Sequence, residues 1–159
     1  MQERFNIKPG TVADLPRMHQ TFEASVRQLC NQDYTEAQLD AWIGRVTPSR
    51  WKELLTGNLQ FLLAEEAETE DLAGFTSINT EGYLHSMFVH PHYQRQGVAT
   101  LLLNAAEAFA REHDVPSVHS EVSLTAQPFF SANGYHIIRQ QTVNIHHESL
   151  QNAVMQKQL

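Results

Sequence analysis

Residues 89–109 read VHPHYQRQGVATLLLNAAEAF, and their order of residue types decides how the chain is parsed. Val89 closes an apolar run. His90 to Gln96 form a polar, partly basic connection around Pro91. From Gly97 onward the apolar residues take the spacing of one helical face. The stretch therefore reads as strand, loop, then a helix beginning near Gly97. Such a start exposes main-chain N–H groups with no intrahelical partner. The helix dipole adds partial positive charge there, and an anion accepts those groups readily. Gly97 and Ala99 leave little side-chain bulk, so an oxygen can approach the backbone. Arg95 sets a full charge at the rim, with donors expected from about residue 95 to residue 100. Alone, a glycine ahead of a helix more often serves the turn than a ligand. The stretch matches neither the Gly-Lys-Ser/Thr phosphate loop nor the dinucleotide G-x-G-x-x-G pattern, which argues against an ATPase or a nicotinamide enzyme.

Outward from this junction the chain alternates strand and helix. Arg4 to Lys8 reads as a first strand closed by Pro9-Gly10. Thr11 to Cys30 follows as an amphipathic helix, with Thr11 as its cap and Pro16 near its first turn. Thr35 and Gln38 have capping-box spacing at the start of a second helix, and a third spans about Pro48 to Thr56. Gln60–Glu65, Leu72–Asn79 and Tyr83–Val89 read as strands, with an acidic turn at Glu66–Asp71. After the helix Gly97–His113 come a strand at Ser117–Val122 and a short helix at Ala126–Ala132 that Gly134 stops. Strands at Tyr135–Ile145 and Ala153–Lys157 follow, with His146-His147 in the loop between them. The alternation implies an α/β or α+β layering around one sheet.

Composition narrows the function. The 159 residues suit one domain over 1–159, with no linker, repeat or low-complexity segment. A net charge of -7 argues against a nucleic-acid partner, which needs a basic face, and against an anionic membrane surface. No run approaches the roughly 18 apolar residues of a membrane span, and MQERFNIKPG lacks a signal-peptide core. The single Cys30 cannot form an internal disulfide, which fits a reducing, cytoplasmic setting. His85, His90 and His92 form no closed ligand set, so no metal is expected.

Two motifs in this order resemble the GNAT superfamily of N-acetyltransferases. The first is Val89-x-Pro91 followed by Gln94-x-x-Gly97-x-Ala99. The second is Ala126-x-x-Phe129-Phe130-x-x-x-Gly134-Tyr135. The Thr125-Ala126-Gln127-Pro128-Phe129-Phe130 run is similar to that of a bacterial branch of the family. The resemblance implies a GNAT fold: a central mixed, mostly antiparallel sheet of six to seven strands flanked by helices. It implies acetyl-CoA as co-substrate, its pyrophosphate held by Gln94, Arg95, Gln96, Gly97, Val98, Ala99 and Thr100. The pantetheine arm would run along Met87, Phe88 and Val89, and Phe130 would stand at the cofactor. Two positions depart from the family pattern: Ser123 replaces its usual Asn, and Phe130 its usual Tyr, a common proton donor to the thiolate.

The activity implied is direct transfer of acetyl from the thioester to a primary amine of a small molecule. Alternatives are a peptide or protein amine as acceptor, or a non-catalytic acyl-CoA sensor, which the missing Tyr motivates. On alternating strand positions, Tyr83, His85 and Met87 would share a face. His85 is the expected base or water relay, since it titrates near neutrality when unperturbed. Tyr83 would assist, Glu121 is the second candidate base, and Ser123 would relay a proton or simply serve structure. Phe22, Tyr34, Trp42 and Trp51 are the candidates to line the acceptor pocket that the first two helices roof in this family, with core packing the more common role for any one of them, and Phe22, Tyr34 and Trp42 are the expected substrate contacts. Glu23, Asp33, Glu36 and Asp40 could attract a cationic amine. By fold analogy an edge strand near the C-terminus would support a homodimer.

Overall fold

A computed structural model describes residues 3–159. Strands β1 (Phe5–Pro9), β2 (Gln60–Glu66), β3 (Leu72–Ile78) and β4 (Leu84–Val89) form one antiparallel sheet in that order. β5 (Ser117–Ser123), β7 (Glu148–Gln158) and β6 (His136–Ile145) form a second, with β7 in the middle. The seven strands thus lie in two halves rather than one continuous sheet. The halves meet where Tyr83 and His119 form an isolated parallel bridge, with the His119 N–H donating to Gly82 O at 2.9 Å. Beyond that vertex the strands part.

β3 is buried at every position because both its faces are covered. On one side lie α1 (Leu15–Leu29), α2 (Glu36–Arg45) and α3 (Pro48–Leu55). Met18, Phe22 and Val26 recur on one face of α1 and pack with Leu39, Ile43, Trp51, Phe61 and Phe75. On the other side α4 (Val98–Glu112) presents Val98 and Leu102 to Ala64 and Ala73. The next turns of α4, through Leu103, Ala106 and Ala110, pack on Val118, Val122, Phe130 and Met155. α4 therefore spans both sheets beneath their point of divergence. α5 (Gln127–Ala132) closes its far end through Phe130.

Local chemistry sets the element ends. Thr11 and Asp14 do form a capping box, but it closes a 3-10 turn, Val12–Asp14, and α1 starts at Leu15. The Thr35–Gln38 box starts α2 as its spacing predicts, with Thr35 Oγ1 accepting from the Gln38 N–H at 3.2 Å. β7 begins at Glu148, five residues before the expected start at Ala153. Ile145 pairs with Glu148 across only His146 and His147, both at positive φ (48° and 69°). That is a two-residue hairpin turn carried by histidines, which adopt left-handed backbone more readily than most residues.

The expected common face of Tyr83, His85 and Met87 is broken by a bulge. Ser77 pairs with Ser86 but Ile78 with Leu84, so His85 has no counterpart on β3. An extra residue reverses the alternation beyond it. Met87 accordingly packs with the α4 side while Phe88 packs with the helices opposite.

Candidate active site

The polar connection from β4 to α4 takes the shape its residues require. Pro91–Tyr93 is a 3-10 turn, Gln94 is extended and Arg95 is left-handed at φ 60°. Gly97 sits at the N-cap of α4 with φ 83°, and no side chain caps the helix. A side chain at this φ is strained, which accounts for glycine. The first intrahelical bond there runs from the Leu101 N–H to Gly97 O. Among the described residues none accepts from the N–H groups of Val98, Ala99 and Thr100. A Cβ on Gly97 would meet nothing within 4 Å. Gln94 to Gly97 are exposed, and Val98 is buried beneath them. Open space above uncapped amides suits an anion with several oxygens.

The neighbouring edge of β4 is equally available. The His90 N–H donates to Ala73 O at 2.8 Å. In an antiparallel ladder alternate residues bond to opposite sides, so Ser86 and Phe88 turn their backbone to β3. Met87 and Val89 turn theirs to the gap between β4 and β5. A chain with amide groups laid in that gap would find donors and acceptors ready. The gap runs from the α4 amides toward the bulge at His85.

Around the bulge stands a polar cluster from three strands. The Tyr83 hydroxyl donates to Glu121 Oε1 at 3.2 Å, and Gln141 Nε2 donates to Glu121 Oε2 at 2.9 Å. The Tyr83 ring stacks on His119 and meets His85 edge-on at 5.9 Å. Burial, with the charge and hydrogen bond of Glu121, pushes the Tyr83 phenol up to about 12. His85 Nδ1 is buried without a partner among the described residues. Burial and the nearby guanidinium groups of Arg50 and Arg45 hold its imidazole below the ordinary histidine range, against the pull of Glu121. His85 is thus neutral at pH 7 and able to take a proton. Ser123, Asn152 and Gln141 follow in register across β5, β7 and β6, and Asn152 Oδ1 is buried without a donor. Ser123 Oγ accepts the Ala126 N–H at 3.2 Å just ahead of α5 and has no acceptor for its own proton among the described residues.

An aromatic wall faces this cluster. Phe22 meets Phe88 at 4.9 Å and Trp51 at 5.3 Å. Trp42 meets Phe88 at 6.3 Å and Tyr34 at 5.7 Å. Phe22 is fully buried, whereas Trp42 is half-buried. The Tyr34 hydroxyl donates to Gln151 O at 2.6 Å and accepts from the Leu124 N–H at 2.9 Å, so its one proton is committed to the scaffold. Phe130 lies in the core, edge-on to Tyr135 at 5.1 Å. The nearby Tyr135 hydroxyl does not replace a missing acid, because it donates to the buried Glu107 at 2.8 Å. Lys157 also holds that carboxylate at 3.1 Å. The acidic residues of the roof are engaged elsewhere: Asp33 accepts from Thr125, and Asp40 and Glu23 pair with Arg27, while Glu36 is exposed.

Gln141, Asn152, Arg45 and Arg50 were not singled out in the sequence. The first two are legible only through strand register, the arginines only through helix packing. Among the described residues, no three His, Cys, Asp or Glu side chains converge on a metal-sized site, and no helix is long and apolar enough to cross a membrane.

Comparison with known proteins identifies the fold and the family. Residues 30–157 match the family model for the acetyltransferase (GNAT) domain. The N-acetyltransferase YafP of Escherichia coli is 33% identical over 138 residues, covering 87% of this chain and 83% of that protein. A GCN5-related N-acetyltransferase from Rhodopseudomonas palustris superposes with a TM-score of 0.93 at 28% identity, over 100% of this chain and 98% of that one. The PaiA N-acetyltransferase of Thermoplasma acidophilum, solved in complex with coenzyme A, has a TM-score of 0.79 at 16% identity, over 99% of this chain and 100% of that one.

Proposed function

The chain belongs to the GNAT family of acetyltransferases, and on that premise we propose that it moves acetyl from acetyl-CoA directly to the primary amine of a small molecule. One observation carries the reading. The uncapped amides of α4, the open space at Gly97 and the unpaired edge of β4 form one continuous track. That track ends at a neutral, half-buried histidine whose Nδ1 is buried. The Thermoplasma relative, solved with coenzyme A, supports the same cofactor class here.

Acetyl-CoA supplies an acyl group activated as a thioester. The N–H groups of Val98, Ala99 and Thr100, with Arg95, hold its pyrophosphate, and Gln94, Gln96 and Gly97 shape the loop around it. Met87 and Val89 pair with the pantetheine amides, and a β4 main-chain N–H polarises the thioester oxygen. A primary amine of pKa near 10 pays about 4 kcal/mol to lose its proton at pH 7. His85 accepts that proton directly or through water and offsets part of this cost. Tyr83, held by Glu121, borders the same face. The N–C bond forms as the C–S bond breaks, and the thiolate takes a proton. Ser123, whose hydroxyl has no acceptor among the described residues, relays that proton from water, with Phe130 unable to give one. Phe22, Tyr34 and Trp42 form the apolar boundary of the acceptor.

Buried Phe130 favours a second reading, a sensor that binds acyl-CoA without turnover. Calorimetric titration with acetyl-CoA, run beside thiol release on an amine panel, separates the two. Binding with amine-dependent thiol release supports the enzyme. Binding alone supports the sensor. No binding removes both.

A further inference from the structure

Resting on the acetyltransferase reading, we propose that the acceptor is an amino acid, its amine directed to His85 and its carboxylate held by Arg45 and Arg50. Both arginines stand at the acceptor side. Trp42 packs on Phe88 and Tyr34, and Arg45 lies three residues on, on the same face of α2. Trp51 packs on Phe22 and Phe88, and Arg50 precedes it in the first turn of α3. The charge of each guanidinium disfavours protonation of His85, and that of Arg45 favours ionisation of Tyr83.

The fold uses each residue only weakly: Arg45, in the last turn of α2, is favoured there by the helix dipole alone. Among the described residues Arg45 has no ion pair or side-chain hydrogen bond. Arg50 has only Glu53 at 3.1 Å, with both side chains more than half exposed, a weak, solvent-screened pair. A cation in the first turn of a helix opposes the helix dipole, so helix stability does not explain Arg50. In a chain of net charge -7, Arg45, unpaired among the described residues, and Arg50, bound only to the exposed Glu53, form a local positive pole beside the half-buried His85. Glu121 forms the negative pole across Tyr83. An amine with no anionic group leaves the arginines without a complement, and a polyamine is repelled by them. A carboxylate satisfies a guanidinium fork with charge-assisted bonds.

The test compares matched acceptors: phenylalanine and leucine, their methyl esters, and the corresponding decarboxylated amines. Thiol release gives kcat and KM for each with the wild type, Arg45→Gln and Arg45→Glu. The free amino acids are expected to exceed their esters at least tenfold in kcat/KM, mainly through KM. The preference should fall within threefold in Arg45→Gln and reverse in Arg45→Glu. Equal or better use of the esters or decarboxylated amines overturns the inference, as does a preference that survives in Arg45→Gln. If no acceptor turns over, calorimetry of the CoA-loaded protein with N-acetylphenylalanine and its methyl ester decides. Selective, Arg45-dependent binding of the acid upholds the proposal, and equal or absent binding overturns it. Failure of the wild type to bind acetyl-CoA would instead sink the underlying function. Intact acetyl-CoA binding without carboxylate preference sinks only this inference.

Discussion

Gly97 separates backbone strain from ligand recognition, and a substitution series there tests the cofactor track. Its φ is 83° and a Cβ would meet no atom within 4 Å. Gly97→Ala therefore costs only the left-handed strain, about 1–2 kcal/mol. Gly97→Glu costs the same in the free protein, because its side chain also enters open space. The two variants should unfold at similar urea concentrations. They should differ at the ligand. A carboxylate about 6 Å from a phosphate charge is repelled by about 1.4 kcal/mol at an effective dielectric near 40. Two pyrophosphate charges bring this to about 3 kcal/mol, or roughly 100-fold in Kd. Calorimetry with acetyl-CoA should show Gly97→Glu weaker than Gly97→Ala by that factor, the gap shrinking with added salt. If the two bind acetyl-CoA alike, no pyrophosphate lies above Gly97 and the reasoning fails.

Three further outcomes are expected. His85→Gln should lower kcat by about 10²–10⁴, the usual contribution of a general base, and remove the acid limb of the pH–rate profile. His85 must be neutral to act, and its pKa is lowered. Wild-type activity should therefore persist below the ordinary histidine range and fall as pH drops through the lowered pKa. Arg50→Gln should move that limb upward; an unmoved limb would remove His85 from the base role. Tyr83→Phe should lower kcat/KM without altering any basic limb below about pH 12, since the phenol stays protonated until then. Lys157→Met should destabilise the fold by about 1–3 kcal/mol, because the buried Glu107 then keeps only the longer Arg111 pair at 4.0 Å and the Tyr135 hydrogen bond. Urea unfolding measures that loss, and a change under 1 kcal/mol would contradict it.

The parts of the site written in local chemistry were legible in the sequence. Gly97 and its helix form a short-range pattern, and the Thr35–Gln38 box starts α2 where its spacing says. The bulge at His85 was not legible, because it arises from the pairing of β4 with β3 and has no signature among residues 83–87. It separated Met87 from His85 and left Phe88 against Phe22. The start of β7 was hidden for a related reason: its turn uses His146-His147 where the recognisable signal is Asn-Gly. Gln141 and Asn152 reach the site only through the register of β6, β7 and β5. Each is an ordinary polar residue on an exposed-looking strand until its neighbour across the sheet is known. Arg45 and Arg50 looked like solvated charges for the same reason, since their neighbours come from helix packing.

The aromatic wall gives the protein a built-in optical readout. Its two tryptophans sit in unlike surroundings around the shared ring of Phe88. Trp51 is 1% exposed, so its emission should be blue-shifted and insensitive to soluble quenchers. Trp42 is half-buried beside the acceptor side, so iodide or acrylamide should quench it selectively. A ligand that fills the acceptor side would shield Trp42 and leave Trp51 untouched. Occupancy of that side can therefore be followed in the unlabelled protein, whether or not any acetyl group moves.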